Sequence, residues 1–326
     1  MAIPPANGDT RRFLPPKGRV TGFGGATMGT TWRVDLVVAN ESAPAALEAR
    51  CAQVLDRIVA EMSQWEQTSH LSRFNRLRGG QWLDLPRGFA AVVGEALAIA
   101  EMTGGAFDPT VGRASQMWGF GSEAVTRAPS EGAIADAAKA AGWQRLAFDR
   151  AMKRLRQPGG VALDLCAIAK GYGVDCLAAV LEGAGITSYL AEIGGELRAA
   201  GVKPDMQPWW VAIEEDESAN LAPLRLALSG WAVATSGNSR RFHDFGTLRL
   251  GHTIDPGSGV PMLRGAESVT VVAESAMRAD ALATALMVMG EDAAQFAREH
   301  DLIARVVTKR GTGFAEHLSP RFAAML

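Results

Sequence analysis

Several strand-like segments in the second half of this 326-residue chain follow one another directly, without a helix between them. They are residues 209–213, 224–228 and 231–234, in which apolar and β-branched or aromatic side chains dominate. Parallel strands need a long crossover connection, usually a helix, whereas antiparallel strands can be joined by short turns. The pattern therefore favours an α+β or mixed α/β fold, with mixed or antiparallel sheets and packed helices, over a pure parallel barrel.

The remaining elements are predicted from the period of the apolar side chains. The predicted helices are residues 44–65, 87–102, 130–141, 168–181 and 279–289. The other predicted strands are residues 31–38, 161–165, 188–192, 268–273 and 306–307, with a hairpin formed by residues 143–149 and 153–157. Residues 1–20 are rich in Pro, Gly and Arg and are predicted to be a flexible extension.

Composition and charge exclude several classes of protein. Hydrophobic residues make up 48% and charged residues 21% of the chain, which is ordinary globular usage and excludes a disordered chain or a fibre. The formal net charge of −2 provides no global field for nucleic acid. No apolar run approaches the roughly 20 residues that a membrane span needs. No apolar signal region follows Arg12, so we expect a cytoplasmic protein, or a periplasmic one if a leader is missing from this chain.

Asp280 and Thr284 lie four residues apart on a predicted helix, so their side chains share one face. A carboxylate and a hydroxyl in this arrangement are hard oxygen ligands of the kind that Mg²⁺ prefers. The alternative is structural: Asp280 caps the helix N-terminus or interacts with its dipole, and Thr284 bonds back to a carbonyl one turn earlier. The spacing alone leaves both interpretations open.

Asp164 and Lys170 form a second pair of interest. Asp164 lies within a short apolar segment, where an unpaired charge would be costly, and Lys170 lies at the start of a predicted helix. Lysine is unfavourable near a helix N-terminus, so it should meet an anion or a carboxylate. Asp164 and Lys170 either form a structural ion pair, or Lys170 binds a phosphate group of a ligand.

Two further groups could bind a ligand. Residues 235–238 with Arg240 and Arg241 combine hydroxyls, a glycine and two cations that could bind an anion, and they precede His252, which is either a base or a structural histidine. Residues 104–110 and 117–121 are flexible and aromatic, which suits either stacking on a planar ring or a packed surface loop. Neither the dinucleotide-binding pattern nor the P-loop pattern is present.

In their order along the chain, these groups resemble the ApbE-type FAD:protein FMN transferases. The matching blocks are residues 28–32, 62–63, 69–75, 105–112, 118–121, 164–172, 192–196, 234–237, 252–256 and 279–285. The resemblance spans about residues 21–310 and implies one T-fold-like catalytic domain over residues 21–326. It further implies an Mg²⁺-dependent transferase that cleaves the pyrophosphate of FAD. The FMN group becomes attached through a phosphoester bond to a Thr or Ser hydroxyl of a target flavoprotein, and AMP is released. This modification is a post-translational flavinylation.

The resemblance also implies roles for individual residues. The implied magnesium ligands are Asp280, Thr284 and the carbonyl of Ala167. The implied FAD contacts are Met28, Trp65, Ala106, Phe107, Asp108, Asp164, Lys170, Ser236, Gly237 and Ile254. His252, Asp255 and Asp280 match the reaction centre, where His252 or a nearby Asp is the candidate acceptor for the proton of the hydroxyl nucleophile.

Some positions depart from the family pattern. Ser239 stands where a Tyr is common, Gly257 and Ser258 replace an Arg and a Thr, and Cys166 replaces a Gly or Ser. These departures leave two alternatives to the transferase. One is an Mg²⁺-dependent FAD pyrophosphatase, in which water replaces the acceptor hydroxyl, and the other is a non-catalytic FAD carrier.

Overall fold

The structure, a computed structural model, describes residue 3 and residues 16–39, 43–123, 125–213, 221–237, 242–245, 248–262, 265–311 and 313–326. Most of the predicted N-terminal extension lies outside these ranges. The first strand begins at Arg19, so the last two residues of the predicted extension belong to the sheet. Asn238, Arg240 and Arg241 of the predicted anion group, and the departing residue Ser239, also lie outside the described residues.

Helices and strands alternate irregularly along the described chain. The helices are α1 Ala43–Met62, α2 His70–Asn75, α3 Arg87–Met102, α4 Gly112–Met117, α5 Glu131–Ala140, α6 Ala169–Gly183, α7 Ala276–Met289, α8 Ala293–Glu299 and α9 Pro320–Ala323. The strands are β1 Arg19–Thr27, β2 Thr30–Val38, β3 Trp82–Asp84, β4 Ala147–Asp149, β5 Arg154–Arg156, β6 Tyr189–Ile193, β7 Glu196–Ala200, β8 Trp209–Ile213, β9 Leu224–Leu228, β10 Trp231–Gly237, β11 Phe242–Phe245, β12 Leu248–Gly251, β13 Ile254–Asp255, β14 Val260–Pro261, β15 Ala266–Ala273, β16 Ile303–Arg310 and β17 Gly313–Leu318.

The largest sheet has the strand order β1-β2-β6-β7-β10-β15-β16-β17. Every neighbouring pair in it is antiparallel. The predicted α+β class with antiparallel sheets and packed helices is therefore confirmed. The strand pairs β8–β9, β11–β12 and β13–β14 form separate two-stranded ribbons, and β3, β5 and β4 form a small three-stranded sheet.

Both faces of the large sheet are covered, and β10 shows how. Ala232 and Ala234 belong to the main core, which α1, α3, α6 and α7 cover. The alternate side chains Trp231 and Val233 belong to a second apolar cluster, beneath the β8–β9 ribbon and the C-terminal α9. Successive side chains of a strand point to opposite faces, so a strand buried on both faces reads as continuously apolar. The last three residues of β10 are only half-buried and reach the cavity described below.

Several predicted elements differ from the structure. Residues 161–165 are not a strand, because their backbone groups bond to a loop rather than to a strand. A single parallel bridge joins Val111 to Ala162, and the Asp164 N–H donates to the Pro109 carbonyl. Helix α1 ends at Met62, three residues before the predicted end, where Ser63 Oγ accepts the next backbone N–H groups and forms a turn. The strands that were not predicted are β1, β3, β7, β11, β12, β13, β14 and β17.

The ends of several helices follow from local capping. Ser130 Oγ accepts the N–H of Ala133 and caps α5 as predicted, and Ser275 Oγ accepts the N–H of Arg278 at the start of α7. Helix α7 ends at Gly290, whose φ of 60° lies in the left-handed region that favours glycine. None of the described helices is both long enough and apolar enough to cross a membrane.

Candidate functional site

A cavity of about 330 Å³ opens where the end of β10, the start of α6 and the middle of α7 meet. Segments far apart in the chain line it, and they include most of the residues that the sequence singled out. The lining residues are Gly29, Thr30, Ala106, Phe107, Asp108, Val111, Ser115, Asp164, Cys166, Ala167, Lys170, Gly194, Glu196, Thr235, Ser236, Gly237, His252, Thr253, Ile254, Pro256, Asp280 and Thr284.

Asp280 lies at the floor of this cavity and is almost fully buried, with 3% of its surface exposed. It is not the N-cap of its own helix, because Ser275 holds that position, so the capping alternative is wrong for α7. Its Oδ2 instead accepts the N–H of Gly171, 3.1 Å away, in the first turn of α6. Burial raises the pKa of Asp280, and the Lys170 ammonium and the Gly171 N–H oppose that shift.

Thr284 lies one turn further along α7 and also lines the cavity. Its hydroxyl is 3.2 Å from the hydroxyl of Ser236, at the end of β10. The two oxygens are therefore presented together from a helix and a strand that are packed against each other. This contact connects Ser236, a predicted FAD contact, with Thr284, a predicted metal ligand.

Lys170 does not pair with Asp164, so the interpretation of these two residues as a structural ion pair is wrong. Its Nζ lies 2.6 Å from Glu196 Oε1 and 3.7 Å from Asp280 Oδ1. Asp164 lines the cavity, and its Oδ1 accepts the N–H of Cys166 at 2.8 Å. Burial lowers the pKa of Lys170, but the Asp280 and Glu196 carboxylates together outweigh burial, so its pKa is raised and the ammonium stays charged.

The floor of the cavity fits a hard divalent cation. Two buried carboxylates, Asp280 and Glu196, face one ammonium there, and burial raises the pKa of Glu196 to about 7. Glu196 Oε2 is buried and has no hydrogen-bond partner among the described residues, so a cation or a water bound to one would satisfy it. Within the described ranges, no three His, Cys, Asp or Glu side chains are placed so that they could hold a metal ion by themselves. The donors at hand are hard oxygens, and Mg²⁺ takes few such protein ligands.

The loop that contains Ala106, Phe107 and Asp108 forms one wall. Asp108 organises this loop: its Oδ1 accepts the N–H and the hydroxyl of Thr110, and its Oδ2 accepts the N–H of Trp143. Burial raises the pKa of Asp108, and these hydrogen bonds act against the shift. The second aromatic group does not stack in the cavity: the Trp118 ring is buried in a small apolar cluster, and its Nε1 donates to the Gly259 carbonyl.

His252 and Asp255, the two predicted reaction-centre residues of one block, are placed differently. His252 lines the cavity, with its ring edge-on to Phe120 at a centroid distance of 6.5 Å. Asp255 does not line it, although its neighbours Ile254 and Pro256 do. Its carboxylate accepts the Gly257 N–H at 2.9 Å and the Ser258 hydroxyl at 2.7 Å, and so stabilises its own turn.

Two predicted FAD contacts lie outside the lining. Met28 has a positive φ of 48° in the turn between β1 and β2, and its neighbours Gly29 and Thr30 line the cavity instead. Trp65 is 50% exposed and follows Gln64, whose Nε2 donates to Cys166 Sγ at 3.3 Å. The structure thus brings together Ala106, Phe107, Asp108, Asp164, Ala167, Lys170, Ser236, Gly237, His252, Ile254, Asp280 and Thr284.

Sequence reasoning did not assign a role to Glu196. Gly194 and Gly195 form the turn between β6 and β7, with φ values of 61° and 106° that favour glycine. This tight turn places Glu196 at the cavity floor, with 5% of its surface exposed. A glycine pair followed by an acidic residue, within a block already matched to the family, was the available signal.

Helices α6 and α7 cap each other across this site. Asp280 of α7 accepts an N–H in the first turn of α6, and Asp175 of α6 accepts the N–H groups of Ala276 and Met277 in the first turn of α7. Each carboxylate satisfies donors that lack a partner within their own helix. The two helices that carry Lys170 and Asp280 are therefore held in fixed register.

Comparisons with known proteins agree with this geometry. A family model described as the ApbE family matches residues 28–306. The chain is 34% identical over 318 residues to the FAD:protein FMN transferase of Klebsiella pneumoniae, which covers 95% of this chain and 91% of that protein. It is 35% identical over 308 residues to the FAD:protein FMN transferase of Salmonella typhimurium, which covers 93% and 88% of the two chains.

Solved structures show the same architecture. The apo form of the Pseudomonas stutzeri flavinyl transferase ApbE superimposes with a TM-score of 0.87 at 34% identity and covers 94% of this chain and 96% of that one. The flavin transferase ApbE from Vibrio cholerae superimposes with a TM-score of 0.86 at 32% identity and covers 94% and 100%. Since the family model spans most of the chain and these relatives align over nearly their whole length, this protein belongs to the ApbE family.

Proposed function

We propose that this protein is an Mg²⁺-dependent FAD:protein FMN transferase that attaches FMN to a Thr or Ser hydroxyl of a target flavoprotein and releases AMP. The observation that carries the proposal is the convergence of Asp280, Thr284 and Lys170 on one cavity, in a chain of the ApbE family. The relatives named above are FAD:protein FMN transferases. An unpaired buried carboxylate oxygen beside them supports a cation at this point.

The reaction exchanges the phosphoanhydride bond of FAD for a phosphoester bond to the acceptor. The acceptor oxygen forms a bond to the FMN phosphorus, the bond from that phosphorus to the bridging oxygen breaks, and AMP leaves with the bridging oxygen. Asp280, Thr284 and the Ala167 carbonyl would hold Mg²⁺, which supplies charge stabilisation for phosphate oxygens when it is bound. Such phosphoryl transfers depend mainly on positioning and on charge stabilisation.

The side chains around the cavity have complementary tasks in this reaction. The Lys170 ammonium stays charged and neutralises part of the pyrophosphate charge. His252 faces the cavity and accepts the proton of the acceptor hydroxyl. The half-buried residues Ser236 and Gly237 line the same cavity as Phe107, and together they would contact the nucleotide.

A covalent labelling experiment tests the transferase. The protein is incubated with FAD, Mg²⁺ and a flavoprotein domain that carries an acceptor Thr, and flavin fluorescence is read on a denaturing gel. We expect a fluorescent acceptor band that disappears when the acceptor Thr is replaced by Val. If AMP and FMN are released with no labelled acceptor, the protein is a pyrophosphatase, and if FAD stays intact with Mg²⁺ present, it is a carrier.

The matched variant for the metal site is Asp280→Asn. It keeps the size of the side chain and an oxygen that can accept the Gly171 N–H, but it removes the negative charge. We expect the labelling rate to fall by about 100-fold or more, as for the loss of a major electrostatic group. The far-ultraviolet circular dichroism spectrum should not change. A labelling rate like that of the wild type would refute the metal assignment.

A further inference from the structure

Lys170 is shared unequally between two buried carboxylates. Its ammonium lies 2.6 Å from Glu196 Oε1 and 3.7 Å from Asp280 Oδ1, a difference of 1.1 Å (3.7 − 2.6) in favour of Glu196. Glu196 and Asp280 are 5% and 3% exposed, so neither carboxylate can be satisfied by bulk water alone. The position of the ammonium therefore depends on the balance between these two acids.

The balance between these two acids also determines whether the Asp280 carboxylate is available to bind a cation. Its Oδ2 already accepts the Gly171 N–H, so Oδ1 is the oxygen that faces Lys170. The two groups already form a loose ion pair; if the ammonium moved about 1 Å closer, it would donate a direct hydrogen bond to Oδ1 and would compete with a divalent cation for this oxygen. The short bond to Glu196 holds the ammonium away from that position.

We propose that Glu196 is a positioning residue that holds the Lys170 ammonium away from Asp280 and so keeps the Asp280 carboxylate available for Mg²⁺. The inference rests on the magnesium site of the proposed function. Glu196 acts through its Oε1 and Lys170, whereas its unpartnered Oε2 would accept from a water bound to the cation and would not coordinate the metal directly. Its place directly after the Gly194-Gly195 turn fixes its backbone at the cavity floor, as this role requires.

A double-mutant cycle separates this role from two simpler ones, in which Glu196 binds the cation directly or attracts it only by its charge. The four full-length proteins are the wild type, Glu196→Gln, Lys170→Met and the double variant. The probe is Mn²⁺ alone, without nucleotide, because it shares the oxygen preference of Mg²⁺. Its dissociation constant is measured by water proton relaxation, so the result does not depend on enzymatic activity.

We expect Glu196→Gln to weaken Mn²⁺ binding by about 10- to 100-fold, the usual effect of losing a residue that orients a metal site. In the Lys170→Met background the same change should weaken it less than about twofold, because no ammonium is left to compete. An equal loss in both backgrounds would show a direct ligand or a pure charge effect and would overturn the proposal. An unchanged dissociation constant for Glu196→Gln would overturn it as well.

Glu196→Asp is the second variant, in case the loss of charge harms folding. It keeps the charge but withdraws the carboxylate by one methylene from Lys170, so we expect weaker Mn²⁺ binding here too. Wild-type affinity in this variant would contradict the proposal, because charge alone would then suffice. If the wild-type protein binds no Mn²⁺, both the metal site and this inference are overturned. If the wild type binds Mn²⁺, Asp280→Asn abolishes the binding and Glu196→Gln leaves it unchanged, only this inference is overturned.

Discussion

Three buried carboxylates beside the cavity have different tasks because their neighbours differ. Asp108 accepts three hydrogen bonds from its own loop and from Trp143, so it organises that loop. Asp280 accepts one N–H and faces an ammonium across 3.7 Å, which leaves it able to bind a cation. Glu196 holds that ammonium. The pKa of each is raised by burial, so the direction of the pKa shift alone does not distinguish their functions.

The three cysteines should react with alkylating reagents at very different rates. Cys51 is fully buried, and burial raises the pKa of its thiol to about 11, so at pH 8 only about one thiol in a thousand is ionised. Cys166 lines the cavity and is half-buried. We expect iodoacetamide to modify Cys166 first and Cys51 last, and we expect FAD with Mg²⁺ to protect Cys166. Peptide mass spectrometry at timed intervals measures both; equal rates for Cys51 and Cys166 would contradict the prediction.

Glu61 should make stability depend on pH. Burial raises the pKa of this carboxyl above 4.5, and the hydrogen bond from the Phe89 N–H does not cancel the shift. Between pH 4.5 and the raised pKa, the folded state binds more protons than the unfolded state, so the free energy of unfolding falls as the pH rises. Glu61→Gln keeps an acceptor for Phe89 and should flatten this slope in urea titrations. Parallel curves for the two proteins would show that Glu61 is not responsible.

At the scale of elements, the contact between α6 and α7 decides where the site residues lie. The mutual capping by Asp175 and Asp280 fixes the register of the two helices. Gly171 allows them to approach closely: a β-carbon at this position would lie 2.2 Å from the Ala276 carbonyl oxygen. Lys170 precedes this glycine and Asp280 lies one turn beyond Ala276, so the separation of the helices sets the distance between their charged groups.

Gly171→Ala should therefore lower the stability and disrupt the proposed metal site. The added methyl group has no room, and overpacking of this kind costs about 1–3 kcal/mol. Because α6 must move away from α7, Mn²⁺ binding should weaken as well. The control is Gly183→Ala on the same helix, where an added β-carbon meets nothing within 4 Å. It should be neutral or stabilise by up to about 1 kcal/mol, since alanine favours helix more than glycine. Equal unfolding midpoints for the two variants would refute the close-packing argument.

At the scale of the whole molecule, the cavity joins distant parts of the chain. Its lining extends from Gly29 to Thr284 and includes residues of α4, α6 and α7, the end of the central strand β10 and several loops. The strand β10 that ends there also separates the main core from the cluster under the β8–β9 ribbon. A ligand in the cavity therefore contacts elements that are packed into both apolar layers, and its binding energy should stabilise the fold broadly.

FAD with Mg²⁺ should raise the thermal unfolding midpoint of the protein. A ligand present at 100 times its dissociation constant adds about 2.7 kcal/mol to the free energy of unfolding when it binds only the folded state. We expect one cooperative calorimetric transition that moves upward with FAD and Mg²⁺ together, and much less in Asp280→Asn. A second transition that does not respond to the ligand would contradict the view that ligand binding in the cavity stabilises both apolar layers of the fold.

The elements that could be predicted are those whose signals are local. Helix α3 was predicted at its observed bounds, and α5 was predicted with its Ser130 cap, because apolar period and capping are read from neighbouring residues. The strand at residues 161–165 was wrong because its apolar pattern matches a strand, while its bonding partner is a loop. Strand β1 was missed because its three glycines obscure the alternation, although it pairs with β2 along its full length.

The sequence by itself determined the α+β class, the spacing of Asp280 and Thr284 on one helix face, and the ordered blocks that resemble a family. Each of these depends on residue types and on short-range geometry. Only the tertiary structure decided which acid holds Lys170, because Glu196 is 26 residues away and Gly171 meets Asp280 across 109 residues. Only the tertiary structure showed that the Asp255 carboxylate bonds within its own turn, whereas His252 lines the cavity. Such pairings follow from how strands and helices pack. A contact between residues far apart in the chain produces no periodic pattern in the sequence from which it could be predicted.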